Sequence, residues 1–327
     1  MPPTEPSDHV MMIGPTKAGK TTLLAVLRLA ASRKLKNVGK VRITPVNGPA
    51  KELFQLARGI EETGSFDFPG NLQTNRYEFT LTCQVERQVR IERWEERPGK
   101  YLWSKKQLVD CSEVETVTEP KSFTLTVIDG KGGDVLGKRD PTQESEAEYI
   151  TRRRELVELA TKSSALVSCI NASDKKTTGA YFHGLQSFLD DIQEAAGRVP
   201  FERVVFAMTQ SDKLVEHYGV GALSRLEDMN AATHATDALG RIATGELFEA
   251  LSPAARAQVY AGWVSVYGFV PSEGSVNFDS ANNRIAIFDP DDAGWLDDWV
   301  PHGVIEPFLF ACTGTPGGLK PVTEPTD

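Results

Sequence analysis

Residues 10–31 read VMMIGPTKAGKTTLLAVLRLAA. Four apolar residues typical of a buried strand come first, a loop with two glycines follows, and the remainder has the apolar spacing of a helix. The loop fits the pattern GxxxxGK[ST] and stands in the strand, loop, helix order that this pattern requires. In such a loop the backbone N–H groups and the helix N-terminus attract phosphate oxygens. The stretch therefore predicts a phosphate-binding loop after the first strand.

The loop supplies the first group of candidate nucleotide-binding residues. They are Gly14, Lys17, Ala18, Gly19, Lys20, Thr21 and Thr22. We expect Lys20 to reach the β- and γ-phosphates and the Thr21 hydroxyl to ligate Mg²⁺. The charge of Lys17 is interpreted as a solvated loop charge.

Outward from this loop, short apolar runs alternate with longer helical patterns. Strands are predicted at Val10 to Ile13, Tyr77 to Val85, Phe123 to Ile128, Ala165 to Ile170, Arg203 to Met208 and Trp263 to Tyr267. Helices are predicted at Thr21 to Ser32, Ala147 to Thr161, Tyr181 to Ala196 and Val300 to Ala311. This alternation predicts an α/β fold, a doubly wound three-layer sandwich with a mostly parallel six-stranded sheet.

The same pattern predicts one domain over residues 9–312 with two insertions. Residues 86–121 are polar with two short β-like pieces, which is typical of an inserted hairpin, and residues 214–262 have the spacing of a helical insertion. Residues 1–8 and 313–327 are rich in Pro, Gly and Thr. Such segments bury too little apolar surface to order themselves, so both are expected to be disordered.

Charge and hydropathy limit the classes of partner. The 327 residues include 36 Lys and Arg and 45 Asp and Glu, a net charge of −9. That field repels polyanions, so we expect no nucleic-acid partner. The sequence has neither an apolar run long enough to span a bilayer nor the features of a signal peptide, so we expect a cytoplasmic protein without a membrane partner.

Two further motifs follow predicted strands. Asp129-Gly130-Lys131-Gly132 fits the pattern DxxG, and Thr209-Gln210-Ser211-Asp212 resembles [NT]KxD. Taken alone, Asp-Gly is a common turn pair and Ser or Asp often caps a helix. Their order after the phosphate loop favours a nucleotide site.

With these three motifs the chain resembles the Ras-like GTPases of the translation-factor and small-GTPase class, and among bacterial relatives the double-GTPase proteins, over residues 9–311. The resemblance implies binding of GTP or GDP with Mg²⁺. It implies that Asp129 orients the metal through water, that the Gly132 amide senses the γ-phosphate, and that Asp212 binds guanine. It also places Thr209, Gln210, Lys213 and Ser265 at the base, with Ser265 in a short loop after the sixth strand.

The resemblance further implies a threonine that closes over Mg²⁺ just before the second of its strands. Thr74 is the best-placed candidate, and Thr63 is the alternative. Two switch segments are implied, roughly Gly59 to Asn75 and Gly130 to Glu144. We expect them to order around the γ-phosphate and relax after its loss.

The chain departs from the family at two positions. Gly133 stands where a glutamine usually orients the attacking water, which predicts slow hydrolysis unless Asp134, Lys131, Arg139 or a partner's arginine supplies that group. Gln210 replaces the family lysine, and Lys213 is placed to compensate.

Several functions remain open from the sequence. The first is a GTP-dependent switch that acts with an unidentified protein effector or a second GTPase. The second is a GTP-binding scaffold that does not hydrolyse its nucleotide, which the glycine at position 133 favours. The third is a P-loop ATPase or kinase, in which the TQSD motif is a coincidence.

Overall fold

A computed structural model of the protein describes residues 9–15, 17–31, 41–66, 75–91, 94–97, 107–110, 113–129, 145–292 and 294–324. Its strands are β1 (His9–Ile13), β2 (Arg42–Pro45), β3 (Asn75–Ile91), β4 (Trp94–Arg97), β5 (Gln107–Asp110), β6 (Glu113–Asp129), β7 (Ala165–Asn171), β8 (Arg203–Thr209), β9 (Val259–Trp263), β10 (Phe278–Asp279), β11 (Arg284–Ile285) and β12 (Lys320–Pro321). One eight-stranded sheet has the order β12-β9-β8-β7-β1-β6-β3-β2. The five strands from β9 to β6 pair in parallel, whereas β12, β3 and β2 run antiparallel to their neighbours.

Helices cover both faces of this sheet. They are α1 (Lys20–Ala31), α2 (Gly48–Thr63), α3 (Glu146–Thr161), α4 (Lys175–Ala196), α5 (Asp212–Val215), α6 (Ala222–Asp228), α7 (Ala231–Leu239), α8 (Arg241–Ala250), α9 (Pro253–Arg256), α10 (Trp295–Asp298) and α11 (Glu306–Thr313). Among the described residues, no helix combines the length and the apolar character that a bilayer crossing needs.

The core is divided by the sheet into two parts. Val10 and Met12 of β1 pack with α1, α2 and α11, whereas Met11 and Ile13 pack with α3, α4, α7 and α8. Successive side chains of a strand point to opposite faces, so a strand covered on both sides is apolar throughout. The predicted doubly wound three-layer α/β fold with a mostly parallel sheet is thus confirmed.

The sheet has two more strands than the six predicted, and both lie at its edges. The strand β2 was not predicted because its four residues, Arg42–Pro45, form no apolar run. The helix α2 was also missed, although Asn47 caps it, accepting a hydrogen bond from the Ala50 N–H, and a proline stands in its first turn. Both the capping asparagine and the proline are start signals of a helix.

The second edge strand corrects the expected disorder of residues 313–327. Lys320 and Pro321 pair with β9, and the flanking Leu319 and Val322 are buried. A Cβ atom at position 262 would lie 2.3 Å from Leu319 Cδ2, so the glycine at that position leaves space for the leucine side chain. This glycine-rich segment is ordered because the side chains of Leu319 and Val322 are buried against residues distant in sequence, and amino-acid composition does not indicate such contacts. Residues 1–8 and 325–327 lie outside the described residues.

Two predicted boundaries also move. The sixth predicted strand, Trp263 to Tyr267, is displaced: β9 covers Val259–Trp263, and the residues after it form a loop. The last helix begins at Glu306 rather than at Val300. In the 86–121 region β3 and β6 continue to pair as far as Ile91 and Glu113, and β4 and β5 form a second antiparallel ladder.

Candidate functional site

The loop after β1 requires glycine at both glycine positions of the GxxxxGK[ST] pattern. A Cβ at Gly14 would lie 2.6 Å from the Cys169 carbonyl oxygen of β7, a distance that no side chain tolerates. Gly19 has a φ of +75°, in the left-handed region that glycine adopts without cost. Between them Lys17 also has a positive φ, and the Ala18 N–H donates to the Pro15 carbonyl. The chain therefore curls tightly before it enters α1.

Lys20 is the first residue of α1, and its ammonium lies inside the curl. The residue is 4% exposed, and Nζ donates hydrogen bonds of 2.9 Å to the carbonyl oxygens of both Gly14 and Pro15. The first turn of α1, all of it described, carries no acidic residue, so its N–H groups and the lysine together form a positive end. Thr21 and Thr22 follow, half-buried. This arrangement can bind a phosphate chain.

The TQSD motif lies directly against this loop. Thr209 ends β8, and its hydroxyl lies 2.7 Å from the Ala18 carbonyl oxygen and 3.0 Å from that of Ile170. Gln210 has a φ of +54°, and its Nε2 donates to the Lys17 carbonyl at 2.7 Å. Parallel strands bring their carboxyl ends to one edge of a sheet, which is where ligands of this architecture bind.

Gln210 is itself held by a cation. Lys213 Nζ donates to Gln210 Oε1 at 2.6 Å, and the Nε2 of the same amide donates to the Lys17 carbonyl of the phosphate loop. The neutral amide of Gln210 and the ammonium of Lys213 thus form a connected pair beside the phosphate loop.

Asp212 is the buried carboxylate of the group. It begins α5, is 4% exposed and accepts a hydrogen bond from the Ser265 hydroxyl. Ser265 is fully buried, and its oxygen accepts from the Gly268 N–H at 3.0 Å, which directs the hydroxyl proton to the carboxylate. Burial raises the pKa of Asp212, and the Ser265 hydrogen bond, its own backbone N–H and the charge of Lys213 oppose that rise.

This raised pKa gives a testable pH dependence of stability. The folded state binds the Asp212 proton more tightly than the unfolded state does. Protonation of Asp212 therefore stabilises the fold fully below the ordinary carboxyl pKa, and this stabilisation is lost as the pH rises through the pKa of Asp212 in the folded protein. We expect Asp212→Asn to gain stability relative to the nucleotide-free wild type as the pH rises across that window. Urea unfolding from pH 4 to pH 8 measures it, with the exposed Asp190→Asn as the control. Parallel profiles for all three proteins would contradict the expectation.

The predicted metal residues are only partly placed. Asp129 is the last residue of β6, and the pairing of Val127 with Met12 of β1 brings the backbone of Asp129 beside the start of the phosphate loop. The side chain of Asp129 lies outside what the structure describes. Thr74, Gly132, Gly133 and the rest of residues 130–144 also lie outside the described residues.

Thr63 does not stand in a loop, and the first switch segment cannot begin at Gly59. Residues from Gly48 to Thr63 form α2, and the Thr63 hydroxyl donates to the Gly59 carbonyl at 2.7 Å. Gly64 then ends the helix in the left-handed conformation. This corrects the predicted boundary, because the helix was not anticipated.

Residues after α2 pack against the segment that carries Ser265, a connection that the sequence did not indicate. The Phe66 ring lies edge-on to Tyr267 at 4.7 Å and to Trp299 at 5.9 Å between centroids. Trp299 is fully buried, and its indole N–H is close to the carbonyls of Val266 and Tyr267. The tryptophan therefore holds the loop that positions Ser265, rather than offering a surface to a partner.

Comparisons with known proteins add little to this geometry. No protein-family model matches the chain, and no curated protein matches it. Among solved structures it is similar to the signal recognition particle receptor SRb-GTP/SRX complex from Chaetomium thermophilum, with 17% sequence identity and a TM-score of 0.30. The match covers 82% of this chain and 94% of that one.

Proposed function

We propose that the protein binds GTP and GDP with Mg²⁺ and acts as a nucleotide-dependent switch with slow or partner-stimulated hydrolysis. The observation that carries this proposal is the pair of hydrogen bonds from Thr209 to Ala18 and from Gln210 to Lys17. They join the phosphate loop to the motif that contains Asp212. A nucleotide with its phosphates at Lys20 would have its base on the Asp212 side of the same site.

The preference for guanine follows from hydrogen-bond chemistry. A carboxylate has about four acceptor positions. Asp212 uses two of these positions, for the Ser265 hydroxyl and for its own backbone N–H, so two positions remain for further donors. Guanine presents two neighbouring donors, its ring N–H and its exocyclic amine, whereas adenine presents no such pair. Adenine would leave the two remaining acceptor positions of this buried carboxylate without donors, at a cost of about 1–3 kcal/mol.

The candidate donor set, composed of hydroxyl and carboxylate oxygens, also suits Mg²⁺. Magnesium prefers oxygen ligands and keeps several waters when it is bound beside phosphates. The Thr21 hydroxyl would hold it, with Asp129 and Thr74 as the further proposed ligands. When bound, the metal would neutralise charge on the phosphate oxygens.

Slow hydrolysis follows from Gly133, which has no side chain to orient the attacking water. Phosphoryl transfer depends on positioning and charge stabilisation, so loss of one positioning group lowers the rate without destroying the site. We propose that a protein partner, either an effector or a second GTPase, raises that rate. A non-hydrolysing scaffold and an ATPase or kinase are the competing functions.

The test is direct binding of GTP, GDP and ATP to the purified protein with Mg²⁺, followed by phosphate release. We expect saturable binding of GTP and GDP, weaker binding of ATP, and slow phosphate release that Lys20→Ala abolishes. Binding without any release above the buffer rate would favour the scaffold. Tighter binding of ATP than of GTP would favour the ATPase, and no binding of either guanine nucleotide at high micromolar concentration would end the proposal.

Gln210→Ala should weaken GTP and GDP binding by about tenfold, the loss of about one hydrogen bond and its packing. The physical reason is that the amide tethers the base motif to the Lys17 carbonyl, which would lose its partner. Fluorescent GTP and GDP analogues measure the change. The matched control is Lys213→Ala, which removes the cation but leaves the tether and should cost less. An equal loss in the two variants would show that the cation, not the amide contact, carries the effect.

A further inference from the structure

A groove with a volume of about 560 Å³ lies at the β2 edge of the sheet, at the opposite end of α1 from the phosphate loop. It is formed by the end of α1, the strand β2 and one side of α2. Its cationic members are Arg28, Arg42, Lys51 and Arg58. We call these four residues, with Phe54 beneath them and the open side of β2, the basic groove.

The charge of the basic groove contrasts with that of the chain. All four cations are exposed, and the groove's lining, every residue of which is described, contains no Asp or Glu. Across the described part of the chain, none of the four forms an ion pair with a carboxylate. The described residues of a protein with a net charge of −9 therefore include a concentrated positive surface.

The floor of the basic groove is apolar. Phe54 of α2 is 4% exposed, and the Arg28 guanidinium lies 5.7 Å from its ring centroid. Val41 and Ile43 are also buried in this region. An apolar floor beneath charged walls suits a ligand that has both apolar and anionic side chains. Free phosphate has no apolar part to contact this floor.

The strand β2 offers backbone hydrogen bonds to such a ligand. It is the last strand of the sheet and pairs with β3 on one side. The Val46 N–H donates to the Glu78 carbonyl, so in the alternating antiparallel pattern Thr44 and Arg42 bond to β3. The N–H and C=O of Ile43 therefore face the open edge, where an added strand can pair with them.

We propose that the basic groove binds an acidic polypeptide segment in an extended conformation. The segment adds to the edge of β2 through backbone hydrogen bonds, places carboxylates against the four cations and rests apolar side chains on Phe54. This is strand addition with electrostatic selection.

The observations favour a peptide over other polyanions. The field of the whole chain repels long polyanions such as nucleic acid and anionic membranes. A short acidic segment experiences mainly the local charges, because screening in physiological salt limits the field to about 8 Å. The open strand edge gives a polypeptide a further advantage, since neither nucleic acid nor lipid can continue a β-ladder.

The test measures binding of a fluorescein-labelled octapeptide that alternates Glu and Val, by fluorescence anisotropy at low and high salt. We expect saturable binding that weakens with salt, at least about tenfold weaker binding to Arg58→Glu, and little change for Arg154→Glu. Arg154 is the matched control, because it is an exposed arginine in the middle of α3 and changes the net charge equally. Lys51→Glu is the second groove variant, should Arg58→Glu unfold.

Two modified probes test how the peptide binds. A Gln-for-Glu peptide and a peptide N-methylated at alternate residues should each lose most of the binding. The proposal is overturned by absent saturable binding, by equal losses in Arg58→Glu and Arg154→Glu, or by undiminished binding of the N-methylated peptide. Equally strong competition by oligothymidylate would show a general polyanion surface instead, and would also overturn it. GTP affinity should be unchanged in Arg58→Glu, so this result and that of the nucleotide test are separable.

Discussion

Lys20→Ala is expected to lower the affinity for GTP and GDP by at least about a hundredfold, because two charged hydrogen bonds of about 1.5–3 kcal/mol each are lost. The Lys20 ammonium lies within the curl of the loop, bonded to the Gly14 and Pro15 carbonyls. A phosphate chain bound there would draw on a cation that is already ordered and largely desolvated. Titration with a fluorescent GTP analogue in the presence of Mg²⁺ measures the loss.

The control for Lys20→Ala is Lys17→Gln, which removes the charge of a neighbouring exposed lysine and keeps a long polar side chain at that position. Lys17 contributes its carbonyl to the site, since that oxygen accepts from Gln210. Its side chain should matter little, so we expect near wild-type affinity. If the two variants lose affinity equally, the loop attracts nucleotides only by general charge. Wild-type affinity in Lys20→Ala would remove the phosphate-loop assignment.

The part of the site that could be predicted from sequence is the part whose functional residues lie within a few positions of one another in the chain. The loop around Lys20 and the turn around Asp212 each follow a strand that is apolar on both faces, and each carries its signature within a few residues. That both lie at one edge of the sheet also follows from sequence, because the parallel strands of a doubly wound sheet end at the same edge; only β7 separates β1 from β8. The structure adds the particular contacts, of which the Gln210 amide on the Lys17 carbonyl is the most informative.

The unpredicted part depends on contacts between distant segments. The packing of Phe66 on Tyr267 and Trp299 connects the end of α2 to the Ser265 loop across about two hundred residues of sequence. The burial of Leu319 depends on the missing side chain of Gly262. Neither pair has a periodic or motif signal, so sequence patterns cannot indicate them. The strand β2 was missed for a different reason, since four residues are too few to show a period.

Asp212→Asn is expected to weaken GTP binding by about a hundredfold and to make xanthosine triphosphate the preferred ligand, a change of about 3 kcal/mol in base discrimination. In the proposed complex the buried carboxylate would accept from the two guanine donors, whereas an amide would set its own N–H₂ against the guanine amine. Xanthine has a carbonyl at that position and can accept from the amide. Competition of GTP, xanthosine triphosphate and ATP against one fluorescent analogue measures the exchange. The control is Glu216→Gln, an exposed carboxylate one turn along, which should leave the preference for guanine intact. Equal losses for guanine and xanthine nucleotides in Asp212→Asn would mean that Asp212 supports the fold of the loop and does not bind the base.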